Sequence, residues 1–63
     1  MNACEIYEDQ GYEDGLFNEN LEQGWKIISS VPNLNMRAAY RLAYEKGWKR
    51  GNQRYKEIYN VND

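Results

Sequence analysis

"GYEDG" at residues 11–15 and "GWKRG" at residues 47–51 share glycine, aromatic and glycine at one spacing, with two acids in the first copy replaced by two bases in the second. Glycines four apart stand on one face of an α-helix, where the missing Cβ lets another helix backbone come close. Two such segments in one short chain predict a helix crossing at Gly11, Gly15, Gly47 and Gly51, favoured by opposite charge on the intervening residues. The predicted fold is all-α: a small antiparallel helical hairpin in a single domain spanning 1–63, with room for a short extra N-terminal helix.

Working outward, the second half has a helical repeat. Met36, Tyr40, Tyr44, Gly47, Trp48, Gly51, Tyr55, Ile58 and Tyr59 recur at spacings of three and four, which predicts a helix from about 34 to about 59. Asn33 or Asn35 can supply the N-cap oxygen, and Pro32 suits a helix entry. In the first half, Ala3, Ile6 and Tyr7 start one stripe, and Phe17, Leu21, Trp25 and Ile28 form another. Gly11, the Asp14-Gly15 pair and Asn18 lie between them, so either one kinked helix runs from 3 to 29 or the helix breaks near Gly15. A break is preferred, because in a continuous helix both glycines would point roughly 80–120° away from the stripe centred on Leu21.

The segment "SSVPN" at 29–33 is the evident connection. In a hairpin turning near Val31, Gly11 would lie level with Gly51 and Gly15 with Gly47. Glu13 and Asp14 would then face Lys49 and Arg50, and Arg37 and Arg41 would come level with Trp25, Glu22 and Glu19. Ion pairing, or guanidinium stacking on Trp25, is the expected result.

A chain of 63 residues is near the lower limit for folding on an apolar core alone. Cys4 is the single cysteine and histidine is absent, which excludes an internal disulfide and a Cys/His zinc site. Self-association is the remaining staple, so a homodimer is expected. The lone thiol, the lack of a long apolar run and the acidic start "MNACEIYEDQ" predict a cytosolic protein with no membrane segment.

Charge is divided along the chain. Residues 1–25 hold seven acids and no base, whereas 26–63 hold all eight bases against three acids. Packing of the two halves against each other would account for this split, and so would a basic nucleic-acid arm beside an acidic tail, of which the packing is favoured for so short a chain.

Catalytic chemistry has little to stand on. No histidine is present to act as a general base, Cys4 sits beside Glu5, and "YEDQGYEDG" lacks the ligand pattern of an EF-hand. "GWKRG" has no following Lys-Ser/Thr pair and so is no phosphate loop. No catalytic residue, metal ligand or cofactor is therefore expected. Bases interleaved with aromatics make Lys46, Lys49, Arg50, Arg54 and Lys56 the candidates for nucleic-acid contact. Against that stand the acidic first half and the placement of the aromatics on the stripe a hairpin must bury. Protein association is favoured, with Tyr12, Leu16, Ile27 and Leu42 on the backs of the stripes as interface candidates.

Taken whole, from "MNACEIYEDQGYEDGLF" to "YKEIYNVND", the chain resembles a small early protein of the exo-xis region of lambdoid temperate bacteriophages. That resemblance implies a non-catalytic accessory regulator of phage development, affecting the lysis–lysogeny balance or prophage induction. It would act in the host bacterial cytoplasm by binding a host or phage regulatory protein. Pieces of the chain, namely Gly11-Tyr12 with Gly15, Leu34-Asn35 with Arg37, and Gly47-Trp48, also resemble ribosome modulation factor. This second resemblance implies an RNA- or ribosome-associated modulator, although the acidic first half and the longer spacing depart from that family's pattern.

Overall fold

A computed structural model describes residues 2–60. They form three helices, α1 (Ala3–Leu16), α2 (Leu21–Ile28) and α3 (Leu34–Tyr59), with no strand among the described residues. At about 1.5 Å per residue, the 26 residues of α3 account for the whole 39 Å long dimension of the molecule. No helix is long and apolar enough to cross a membrane among the described residues.

Asparagines punctuate all three helices. Asn2, Asn20 and Asn33 are the N-caps, each accepting a hydrogen bond from a backbone N–H of the first turn. The expected break between the first two helices near Gly15 occurs, α1 running through both of its glycines and ending at Leu16. Asn18 takes a left-handed φ of 56°. Its N–H donates to the Gly15 carbonyl at 3.0 Å, and the Glu19 N–H donates to the Asp14 carbonyl at 2.9 Å. This is a Schellman stop, with asparagine in the place more often held by glycine.

α1 and α3 pack in parallel, which corrects the antiparallel register expected from the sequence. A Cβ on Gly11 would collide with the Tyr44 carbonyl oxygen, and one on Gly15 with that of Trp48. Conversely, a Cβ on Gly47 would strike the Glu8 carbonyl oxygen, and one on Gly51 that of Tyr12. Residue numbers therefore rise together along the two helices, and Gly11 lies level with Gly47 and Gly15 with Gly51. The expected hairpin let the second helix of the first half continue the course of the first, whereas α2 reverses it. This short helix carries the chain back, so that α3 sets out in the same direction as α1.

The contact has a local two-fold character. Each glycine faces the carbonyl three residues before the glycine opposite, so the exchange is reciprocal at both levels. Side chains follow the same rule: the Tyr44 hydroxyl donates to Asp14 Oδ2, while at the equivalent place Arg50 pairs with Glu8 at 3.3 Å. The expected facing of Glu13 and Asp14 with Lys49 and Arg50 gives way to this arrangement, and Lys49 instead pairs with Glu45 within α3 at 3.4 Å.

α2 runs antiparallel to α3. Gly24 rests on the Tyr44 ring, the Arg41 guanidinium lies 3.9 Å from the Trp25 ring centroid, and Arg37 Nε donates to the Val31 carbonyl at 2.9 Å. Stacking of Arg41 on Trp25 was thus correctly expected, though not ion pairing with Glu19 or Glu22. Ile28 and Tyr44 are the fully buried large side chains. All five glycines are buried, so backbone rather than side chain fills much of the interior. Cα–H groups facing carbonyls are worth about 0.5–1 kcal/mol each, and close dispersion contact adds to them.

Two substitutions test the crossing. Alanine is favoured over glycine by about 1 kcal/mol in a helix, yet Gly11→Ala or Gly47→Ala drives a methyl into opposing backbone that cannot rotate aside. Each is expected to cost about 3 kcal/mol or more, most of the stability of so small a core. Thermal melts should lose their cooperative transition, whereas Gln53→Ala at an exposed position should leave the melt nearly unchanged.

Candidate interaction surface

Because glycines occupy the helix crossing, large apolar side chains are left outside it. Phe17 follows the last residue of α1, two positions and so roughly 200° past the inward-facing Gly15, and it is 75% exposed rather than in a buried stripe with Leu21 and Ile28. Ile27, an interface candidate, is 68% exposed on α2. Phe17 and Ile27 line the same groove between α1 and α2, a concavity of about 430 Å³. Tyr44 is also part of its lining, and among the described residues Asp14 and Glu19 are the charged ones that line it.

Asp14 is firmly placed. It accepts from the Tyr44 hydroxyl through Oδ2 and from Gln10 Nε2 through Oδ1, the latter at 2.9 Å. Both donors are neutral, so neither offsets the charge of the carboxylate. Tyr44 records that charge: burial first, then the hydrogen bond to Asp14 and the negative charges of Asp14 and Glu19, push its phenol well above the usual value of 10.0. The adjoining turn is braced by Asn52, whose buried amide donates to the Gly15 carbonyl at 3.2 Å and to Asn18 Oδ1 at 2.9 Å. Trp48 Nε1 donates to the Glu19 carbonyl at 2.9 Å. The groove is therefore anchored to the glycine crossing from both sides of the loop.

Leu42, also 68% exposed, belongs to a different concavity. It lies with Leu34, Trp25, Arg37 and Arg41 in a cleft of about 500 Å³ between α2 and α3. The other two interface candidates, Tyr12 and Leu16, are half-buried at the α1–α3 crossing, with Arg50 5.5 Å above the Tyr12 ring centroid. The four candidates thus occupy three places and form no single patch.

The basic candidates are also distributed. Lys49, Arg50 and Arg54 line a shallow cleft of about 460 Å³ beside Tyr12. Carboxylates hold all three: Glu45 pairs with Lys49, Glu8 with Arg50 and Glu57 with Arg54. Lys46 is exposed elsewhere on α3, and Lys56 is half-buried.

Sequence reasoning missed Phe17, Asp14 and Glu19 as groove residues, and Asn52 as the brace of the turn. Asn18 was the available signal. Recognised as a left-handed helix stop, it places Phe17 at the end of α1 and not within the next apolar stripe. No family model, curated protein or solved structure matches the chain.

The buried phenol yields a test. Tyr44→Phe removes a hydrogen bond to a charged acceptor and is expected to lower stability at neutral pH by about 1–3 kcal/mol. Since the folded phenol titrates above its unfolded counterpart, the stability it contributes is complete below pH 10.0 and declines as pH rises past that value. The gap between wild type and Tyr44→Phe should therefore narrow in denaturant titrations above pH 10.0.

Proposed function

We propose that this chain is a small non-enzymatic accessory protein that acts by binding another protein. The observation that carries this reading is the pair of apolar concavities flanking α2, opened by Phe17 and Ile27 on one side and by Leu34 and Leu42 on the other. In a chain with so little buried apolar surface, leaving such residues in water forgoes stabilisation that a partner can restore. The biological setting follows from the resemblance to exo-xis early proteins: a regulator of bacteriophage development in the infected cell, bearing on the lysis–lysogeny balance or prophage induction through a host or phage regulatory protein.

A second reading draws on the cleft where Tyr12 meets Lys49, Arg50 and Arg54. An aromatic ring among bases suits RNA, in keeping with the resemblance to ribosome modulation factor. It has weaker support, because the carboxylates of Glu8, Glu45 and Glu57 already stand on those bases and oppose phosphate.

Affinity capture from bacterial lysate, with and without nuclease, separates the two readings. A protein partner should survive nuclease, and Ile27→Asp or Leu42→Asp should weaken its capture about ten-fold or more while leaving the melt unchanged. Nuclease-sensitive recovery of RNA, with affinity falling steeply as salt rises, would overturn the protein-binding reading.

A further inference from the structure

We infer that the α1–α2 groove receives a cationic amphipathic helix, seating one or two of its apolar side chains between Phe17 and Ile27 and directing lysine or arginine toward Asp14 and Glu19. The inference rests on the protein-binding reading and names the chemistry of the partner for one of the two concavities.

The case for a helix comes from what the groove lacks. Its lining comes from α1, α2, the turn between them and Tyr44 of α3, and helix interiors have their N–H and C=O groups committed internally. An extended peptide would find no sheet edge on which to pair its own backbone. A helix arrives with its backbone bonds already made and asks only for a place to put side chains. Concavities of roughly 300–1,000 Å³ accept groups of that size, and this one is about 430 Å³ with Phe17 and Ile27 in its lining. Gln10 and Gln23 lie alongside as neutral hydrogen-bonding groups.

Charge complementarity supplies the sign. The charged lining groups are both acids, and among the described residues only Glu8 of the seven acids in residues 1–25 is held in a salt bridge. The acidic field of α1 and of Glu19 in the turn is thus largely unneutralised, α2 being balanced by Glu22 and Lys26, while the bases paired with carboxylates lie along α3. Glu19 is exposed and follows the helix stop, so a base can reach it at little desolvation cost. Apolar anchors would provide affinity, and the acids would select for partners of positive charge and speed their approach.

The test uses the full chain, isotope-labelled for NMR, and three synthetic peptides of about 18 residues, roughly five helical turns. One is an amphipathic leucine–lysine helix, one a scrambled peptide of the same composition, and one an amphipathic leucine–glutamate helix. The first should produce saturable shifts centred on Asp14, Phe17, Glu19, Gln23 and Ile27, and should bind about ten-fold or more tightly than either of the others. Phe17→Ala and Glu19→Gln, both at exposed positions, should each weaken that binding with an unchanged melt. Equal binding of the scrambled peptide, shifts centred on the Leu34–Leu42 cleft, or indifference to Phe17→Ala would overturn the assignment. So would groove shifts that appear on concentrating the chain alone, because the occupant would then be a second copy. Nuclease-resistant protein capture that Leu42→Asp abolishes and Phe17→Ala spares would refute this groove and leave the broader reading intact, whereas capture of RNA alone would remove both.

Discussion

Backbone-to-backbone contact between α1 and α3 is the constraint on which the rest of the molecule depends. Four glycine positions face four carbonyl oxygens in a reciprocal pattern, and no side chain larger than hydrogen fits at any of them. This closeness brings Tyr44 to Asp14 and Arg50 to Glu8, and lets the Asn52 amide reach across to the end of α1. The internal repeat therefore acts within one chain as a two-fold interface acts between two chains, with each copy meeting the equivalent surface of the other.

The surface follows from that interior. A core built around glycines has few places for large apolar side chains, and among the described residues only Ile28 and Tyr44 are fully enclosed. α2 closes one side by laying Gly24 over the Tyr44 ring and burying Ile28, while Ile27 on the same helix remains in solvent. Helix packing and surface character are in this way two results of one choice. Tight backbone contact at the crossing leaves apolar material available on either side of α2.

Much of this was legible in the sequence. The spacing of aromatics and glycines located α3 at its observed limits, Leu34–Tyr59, and Asn33 proved to be the cap. An interruption in the first half was also legible, although its position depended on Asn18 and not on Gly15. The relative direction of α1 and α3 was not readable from the motif. Two glycines four apart look the same from either end, so they align equally well in parallel and antiparallel crossings. Direction is decided by α2, whose eight residues were read as part of a longer first helix or its continuation. Every cross-helix polar pair inherits that decision, which is why Asp14–Tyr44 and Glu8–Arg50 could not be named from spacing alone. The groove escaped notice for a related reason: apolar periodicity assigned Phe17 to the stripe of α2, whereas it caps α1 roughly 200° past Gly15 and so points away from the crossing.

The exchange of two acids for two bases between the repeated motifs also bears on synthesis. During translation α1 emerges well before its mate, since the second glycine pair follows the first by 36 residues. At about 5–20 residues per second, a newly made glycine face waits a few seconds with nothing to cover it, beside identical faces on neighbouring nascent chains. Were the motifs identical, two early helices could clasp each other. As it is, that pairing would set Glu8 of one chain against Asp14 of the next, where the completed molecule sets Glu8 against Arg50. The charge difference thus disfavours pairing between two first helices relative to pairing with the later helix of the same chain.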